Sequence, residues 1–318
     1  MMLVLSNGTY KVYVRRGVVR VRGANGEEYV VDSTVDAIVV ATSRVSLTAK
    51  AIRLLAMNGV DVVLLAPNGE PVARVYPPII NKTVLARRGQ FEAMVNGKGL
   101  RVSKVLVKAK LMNQANLLRY LAKARRVEWL KDEAIKLDEL ALSLDRVNGS
   151  EGLIEVEAHA ARHYWSAIAQ LTPPELNFRG RAQEGGDPLN VMLNYGYGIL
   201  RYAVEKAILI HGLDPYAGFL HADRSGKPSL TLDVMEPFRP LVDKALLTNR
   251  LTVNLVNNYL DYQSRGLVAK TIIEELNGKV NFNGRVTNGL NAINRLVESI
   301  ASYLRGDGDL VEPVIRWY

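Results

Sequence analysis

Val60-Asp61-Val62-Val63-Leu64-Leu65-Ala66-Pro67-Asn68-Gly69, followed closely by Tyr76-Pro77-Pro78, is the stretch whose reading decides the fold. Its first six residues form a short run dense in β-branched side chains, which reads as a strand, and Pro67-Asn68-Gly69 reads as a turn. Pro77-Pro78 then ends the pattern. Upstream the chain keeps this short strand-and-turn rhythm. Val12–Val14, Val18–Val21, Tyr29–Val31 and Ala37–Val40 are strand-like, with a turn at Gly23-Ala24-Asn25-Gly26. One helix interrupts them over residues 46–58. Ser46 is its expected cap, Ala49, Ile52, Leu55 and Ala56 its stripe, and Gly59 its stop. Downstream, apolar residues recur at helical spacing over 83–95, 100–125, 127–144, 153–170, 190–212, 232–246, 248–264, 265–277 and 284–304. Gly97-Lys98-Gly99, Thr172-Pro173-Pro174 and Gly185-Gly186-Asp187-Pro188 break the series, and an irregular tail is expected from Gly306 to Tyr318. The expected fold class is α+β: a small N-terminal β-rich domain over residues 1–78, then a larger all-helical domain over residues 79–318.

Composition narrows the function classes. The chain has 318 residues, 48% apolar and 23% charged, which suits a globular protein with a large core. It has no cysteine, so disulfides, thiolate metal sites and a cysteine nucleophile are excluded. The start lacks the basic flank and length of a signal peptide, and no uncharged apolar run is long enough for a membrane span. A full-length cytoplasmic protein is expected, with no membrane partner. The net charge is +9, and it is unevenly placed. Residues 82–131 hold thirteen Lys and Arg against Glu92 and Glu128, a net of +11, which leaves −2 for the rest. Such a block is either a solvated helix face or the footprint of a polyphosphate partner.

Four residues carry the chemistry. On the helix over 153–170, Ile154, Glu157, Ala161, Tyr164 and Ile168 share one face, while Glu155, His159, Arg162 and Ser166 lie on the other. Glu157 is therefore the inward carboxylate, and it needs either a cationic partner from another helix or a metal. His221 ends the apolar run Gly218-Phe219-Leu220 before a turn, where it can be a satisfied core histidine or a ligand. Asp233 and Glu236 are three apart near the start of a helix and share a face, where they can also serve simply to complement the helix dipole. Carboxylates with one imidazole are ligands for Mg²⁺ or Mn²⁺, and in a basic protein such a set suggests metal-assisted chemistry on a nucleic-acid phosphodiester. His159 and His163 have the i, i+4 spacing of a metal pair. Ala160 stands where the zinc-protease pattern needs Glu, so both read as surface or phosphate-contacting residues. Tyr195-Gly196-Tyr197-Gly198 does not fit a dinucleotide or P-loop pattern.

Taken in order, four segments resemble the CRISPR-associated protein 1 family, the integrase of CRISPR adaptation. Glu157-Ala158-His159-Ala160-Ala161-Arg162-His163-Tyr164-Trp165 is similar to its glutamate helix. Asp187-Pro188-Leu189-Asn190 with Asn194-Tyr195-Gly196-Tyr197 resembles its middle helix. Gly212-Leu213-Asp214-Pro215 through His221 resembles its histidine segment, and Pro228-Ser229-Leu230 through Asp233-Val234-Met235-Glu236-Pro237-Phe238-Arg239-Pro240 its last acidic segment. Ala158 stands where glycine is common, and Glu236 where some members carry aspartate. The resemblance implies an archaeal source and an N-terminal β domain that dimerises. It implies Glu157, His221 and Glu236 as metal ligands for Mg²⁺ or Mn²⁺, with Asp233 as an accessory acid orienting water. It also implies DNA strand transfer of a prespacer into the CRISPR repeat, related endonuclease activity, and bridging of homodimers by CRISPR-associated protein 2 in antiviral defence. Arg87, Arg88, Lys104, Lys108, Lys110, Arg162, Tyr164, Arg179 and Arg181 are the candidate DNA contacts. A general metal-dependent DNase, a transposon-borne integrase and a non-catalytic DNA-binding scaffold are the alternatives.

Overall fold

The computed structural model describes residues 1–76, 84–221 and 225–317. Eight strands and one helix come first: β1 (Met2–Leu5), β2 (Tyr10–Arg15), β3 (Val18–Gly23), β4 (Glu28–Val30), β5 (Ala37–Val40), β6 (Val45–Leu47), α1 (Ala49–Met57), β7 (Asp61–Leu65) and β8 (Pro71–Val75). Helices then dominate: α2 (Val84–Ala93), α3 (Lys98–Arg125), α4 (Trp129–Ser143), α5 (Ser150–Leu171), α6 (Pro188–Ile210), α7 (Ser229–Met235) and α8 (Arg239–Thr248). The chain continues through β9 (Leu255–Val256), β10 (Tyr259–Leu260), α9 (Tyr262–Asn277), β11 (Lys279–Phe282), β12 (Arg285–Asn288), α10 (Gly289–Arg305) and β13 (Ile315–Arg316). The α+β class is as expected.

The chain forms two compact units, and neither is contiguous. One contains residues 1–79, 183–202 and 245–277; the other contains 80–182, 203–244 and 278–318. A simple division into 1–78 and 79–318 is therefore too coarse, because two later segments return to the strand-bearing unit. Pro77-Pro78, the expected seam, lies outside the described residues.

In the first unit, β1, β5, β7 and β8 form one sheet, and β4, β3, β2 and β6 another. The pairs β1–β5 and β5–β7 are parallel, and β7–β8 is antiparallel. All four residues of β5 are buried, which suits a parallel central strand covered on both faces. One apolar core gathers Leu5 and Ile38 from the first sheet, Val12 and Val21 from the second, and Ala51 and Leu55 from α1. Of the expected stripe of α1 only Leu55 is buried; Ile52 and Ala56 are half-buried, Ala49 is exposed, and Ala51 takes the second buried position. The cap of α1 is Thr48, whose Oγ1 accepts from Ala51 N at 3.2 Å, not Ser46, which lies in β6.

Other sequence expectations fail at hairpins. Residues 248–264 are not one helix. Leu255-Val256 and Tyr259-Leu260 pair across Asn257-Asn258, both at positive φ (52° and 63°), the geometry that a tight two-residue turn requires and asparagine tolerates. In the second unit β11 and β12 pair across Asn283-Gly284, another such turn, and the supposedly irregular tail supplies β13 to that sheet. The helix expected over 232–246 is broken by a 3₁₀ turn at Glu236–Phe238, where Pro237 lacks the N–H a helix interior needs.

The Tyr195–Gly198 motif has a packing role in the first unit. A Cβ on Gly198 would lie 2.2 Å from Gly69 O, and one on Gly69 would lie 2.6 Å from Tyr195 O. The β7–β8 turn therefore touches the α6 backbone directly. Gly198→Ala should lower stability by about 1–3 kcal/mol, the usual range for overpacking. Urea unfolding checks it; an unchanged midpoint would contradict this close approach.

Candidate active site

The second unit holds the four chemistry-bearing residues on separate elements and joins them as two pairs, His221 with Asp233 and Glu157 with Glu236. The loop that carries His221 is held from two sides. On one side Gln90 of α2, which is fully buried, donates from Nε2 to Asp214 O at 2.8 Å and Ala217 O at 2.7 Å, and its Oε1 accepts from Asp214 N at 2.8 Å. On the other side Asp233 of α7 accepts three backbone N–H groups: Phe219 N at 2.6 Å and Leu220 N at 2.9 Å on Oδ2, and His221 N at 3.0 Å on Oδ1. Glycine is needed at 218, because a Cβ there would stand 2.6 Å from Ser229 Cβ and 2.9 Å from Asp233 Oδ2. Gly99 serves similarly, since its Cβ would sit 2.7 Å from the Phe219 ring.

Asp233 also sets the histidine. Its Oδ1 lies 2.6 Å from His221 Nδ1, so a proton on Nδ1 points at the carboxylate and Nε2 is the ring nitrogen left with its lone pair free to accept. Sequence reading expected Asp233 to orient water. Instead both its oxygens are taken by the loop backbone and the ring, and the side chain is fully buried. It is a positioning residue.

Glu157 of α5 and Glu236, in the 3₁₀ turn after α7, converge on Lys110 of α3. Lys110 Nζ donates to Glu157 Oε1 and stands 2.5 Å from Glu236 Oε2. Arg239 Nε donates to Glu236 Oε1 at 2.9 Å. The adjoining Pro237 carbonyl is fixed by Asn113 Nδ2 at 2.8 Å, so α3 positions Glu236 through two of its residues. Glu236 is 3% exposed and Lys110 is 7% exposed. Burial works against the charge on Glu236, but Arg239 and Lys110 outweigh it and hold the carboxyl at about 2. Burial likewise works against the Lys110 ammonium, but Glu236 and Glu157 raise its pKa above the ordinary lysine value. Glu157 thus has the cationic partner that an inward carboxylate demands. Among the described residues, no three His, Cys, Asp or Glu side chains lie grouped so as to hold a metal ion as they stand.

The candidate DNA contacts divide. Arg87, Arg88, Arg162 and Arg179 are exposed. Lys104 is half-buried, Arg181 donates to Ala182 O, and Lys108 pairs with Asp145 at 3.0 Å. Two assignments are corrected. Lys110 is no surface cation, because it lies on the inward stripe of α3 between Leu106, Asn113 and Leu117, all buried. Tyr164 is fully buried with Oη donating to Asp243 at 2.7 Å, so it is a core residue. Ile154, expected inward, is exposed, and Leu153 takes the buried position instead. His159 and His163 meet through Nε2 atoms 3.3 Å apart, and Glu133 lies 3.3 Å from His163 Nδ1. Gln90, Asn113 and Arg239 are site residues that the sequence reading does not single out. Only Arg239 carried a signal, in its three-residue spacing from Glu236.

A mixed α+β protein with two helix-borne carboxylates gathered on one cation, beside a histidine fixed by a third carboxylate, is the class these features define. The model of the CRISPR associated protein Cas1 family matches residues 2–258, and the chain belongs to that family. The CRISPR-associated endonuclease Cas1 of Hyperthermus butylicus is 42% identical over 286 residues, covering 86% of each chain. Among solved structures, a casposase bound to integration product aligns with a TM-score of 0.81 at 26% identity, over 98% of this chain and 92% of that one. A chain of a Cas6-RT-Cas1–Cas2 complex has the same fold, with a TM-score of 0.75 at 16% identity, over 98% of this chain and 36% of that one.

Two outcomes test this geometry. Asp233→Ala would leave three backbone donors and the ring without their acceptor, and should cost at least about 3 kcal/mol. Denaturant unfolding reads the loss, and a change under 1 kcal/mol would contradict the clamp. The pH dependence has a definite sign. The folded Glu236 carboxyl sits at about 2 against an ordinary 4.5, so its contribution to stability is complete above about 4.5 and is lost as pH falls toward 2. Glu236→Gln should flatten the stability curve in that window.

Proposed function

We propose that this chain is the integrase of CRISPR adaptation. It joins the 3′-hydroxyl ends of short prespacer DNA to the repeat array by divalent-metal-dependent transesterification, and the same site cleaves DNA when water replaces the hydroxyl. In the joining step the 3′-oxygen forms a new bond to phosphorus, the bond to the departing strand's 3′-oxygen breaks, and the attacking hydroxyl's proton passes to the leaving oxygen through solvent. The observation that carries the proposal is the convergence of Glu157 and Glu236 on a cation beside the Asp233-fixed His221. Likeness to relatives named endonucleases, such as that of Hyperthermus butylicus, supports the phosphodiester chemistry, and the likeness to a casposase named as bound to its integration product supports joining.

The donor set fits Mg²⁺ or Mn²⁺. Glu157, Glu236 and His221 would supply two carboxylates and one imidazole. Glu236 Oε2 is buried and lies 2.5 Å from the Lys110 ammonium, so this oxygen already faces a cation. When bound, such an ion neutralises charge developing on the phosphate and makes a hydroxyl or water a better nucleophile. The chain's own residues prepare the place. Asp233 keeps His221 in one tautomer and orientation, Gln90 anchors the loop, and Arg239 holds one oxygen of Glu236.

DNA is the expected partner, with exposed Arg87 and Arg88 among its backbone contacts. The fold shared with a chain of a Cas1–Cas2 complex supports CRISPR-associated protein 2 as a second partner. A homodimer formed through the strand-bearing unit would cover its sheet edges. No helix among the described residues is long and apolar enough to cross a membrane, and we assign the protein to the cytoplasm. The likeness to a casposase also keeps a transposon-borne integrase as a second reading. Strand transfer on supercoiled DNA with and without a repeat distinguishes the two, since repeat-dependent joining favours adaptation.

Glu157→Ala, His221→Ala and Glu236→Ala should each reduce strand joining by about 10²-fold or more, judged against circular dichroism to confirm folding. A chelator should abolish joining, and either ion should restore it. Retained joining by Glu236→Ala, or full joining with chelator present, would overturn the assignment. Neutralising Arg87 and Arg88 together should lower the log–log salt slope of DNA binding by roughly two. An unchanged slope would return them to solvated surface.

A further inference from the structure

We propose that Lys110 is a built-in counter-ion of this site, and that a divalent ion binds by displacing its ammonium from between Glu157 and Glu236. The inference rests on the metal-dependent reading given above. Three observations carry it. Lys110 occupies the inward stripe of the long helix α3, where a charged side chain is unfavourable unless it is paired. Its Nζ is bonded to Glu157 Oε1 and lies 2.5 Å from Glu236 Oε2, so it spans the two carboxylates expected to grip the metal. Arg239 Nε holds the other oxygen of Glu236, Oε1, at 2.9 Å, so the oxygen that Lys110 faces is a separate one.

The physical consequence is a competition. Without a cation, two carboxylates facing the same space repel, and the site would open or take up a proton. The ammonium removes that repulsion and keeps the ligands converged. A divalent ion and an ammonium cannot both sit at contact distance from the same oxygens, because their mutual repulsion in a partly dry site far exceeds thermal energy. The flexible four-carbon stem lets Nζ swing away while the α3 backbone stays fixed. The protein is thereby folded and preorganised without metal, at the expense of metal affinity. This arrangement differs from a lysine that tracks DNA, since its ammonium is engaged inside the protein.

The test measures Mn²⁺ binding to the full chain by paramagnetic resonance of free Mn²⁺, with Glu157→Ala as the control that locates the site. Lys110→Met should bind Mn²⁺ at least about tenfold more tightly than the wild type. It should melt at lower temperature without metal and regain the difference when Mn²⁺ is added. Wild-type protein supplies a measurement that needs no variant to fold. Acetylation of Lys110 by an amine-reactive ester, quantified by mass spectrometry against exposed Lys136, should rise on Mn²⁺ addition. If the wild type binds Mn²⁺ at this site while Lys110→Met binds no more tightly, or Lys110 labelling is unchanged or reduced, the counter-ion role is overturned and the metal site stands. If neither protein binds Mn²⁺, the metal reading fails and displacement fails with it.

Discussion

Two carboxylates converging on one buried ammonium are the constraint on which the second unit depends. Glu157, Glu236 and Lys110 come from α5, a 3₁₀ turn and α3; Glu157 keeps some contact with water, but neither Glu236 nor Lys110 could be buried alone without a large desolvation cost. Their mutual contact ties three elements far apart in sequence. It also explains why α3 carries polar residues on its inward stripe. Lys110 meets the carboxylates, and Asn113, one turn along, fixes the carbonyl of Pro237 beside Glu236. Such a cluster is a demanding use of a core position, because each charge relies on the others being present. A catalytic centre is where that dependence serves a purpose, since a place built to hold one cation can accept another.

The histidine loop follows a different logic. The loop that carries His221 is held by backbone bonds to Asp233 on one side and, at Asp214 and Ala217, to Gln90 on the other, with Gly218 and Gly99 letting the loop approach closely. Asp233 is therefore unlike Glu157 and Glu236, although all three are carboxylates. Its acceptor capacity is used by three N–H groups and an imidazole. The division of labour is between an acid that shapes the loop and two acids that meet a cation.

Much of this was legible in the sequence. The inward position of Glu157 followed from helical spacing, and the three-residue separation of Asp233 and Glu236 placed them together. The same spacing argument applied to Lys110, which follows Leu106 by four residues and precedes Asn113 and Leu117 on the same stripe. A count of basic residues obscures it, because composition ignores the direction a side chain faces. Tyr164 falls on the inward stripe of α5, and that place already favours the core over DNA. The missed hairpins have a physical reason as well. Leu255, Val256, Tyr259 and Leu260 satisfy helical spacing as well as they satisfy two strands, and only the asparagine pair between them, able to take positive φ, decides the matter. Asn283-Gly284 carried the same turn chemistry inside an apparent helix boundary. The return of residues 183–202 and 245–277 to the strand-bearing unit is a tertiary arrangement that no local pattern encodes.

Diffraction from crystals soaked in Mn²⁺, recorded for anomalous scattering from manganese, tests the central claim most directly. The account predicts one strong peak bounded by Glu157, Glu236 and His221 Nε2, with Lys110 Nζ moved from its place between the two carboxylates. A peak only at the His159–His163 pair, or none near Glu157 with Lys110 still bridging, would contradict it.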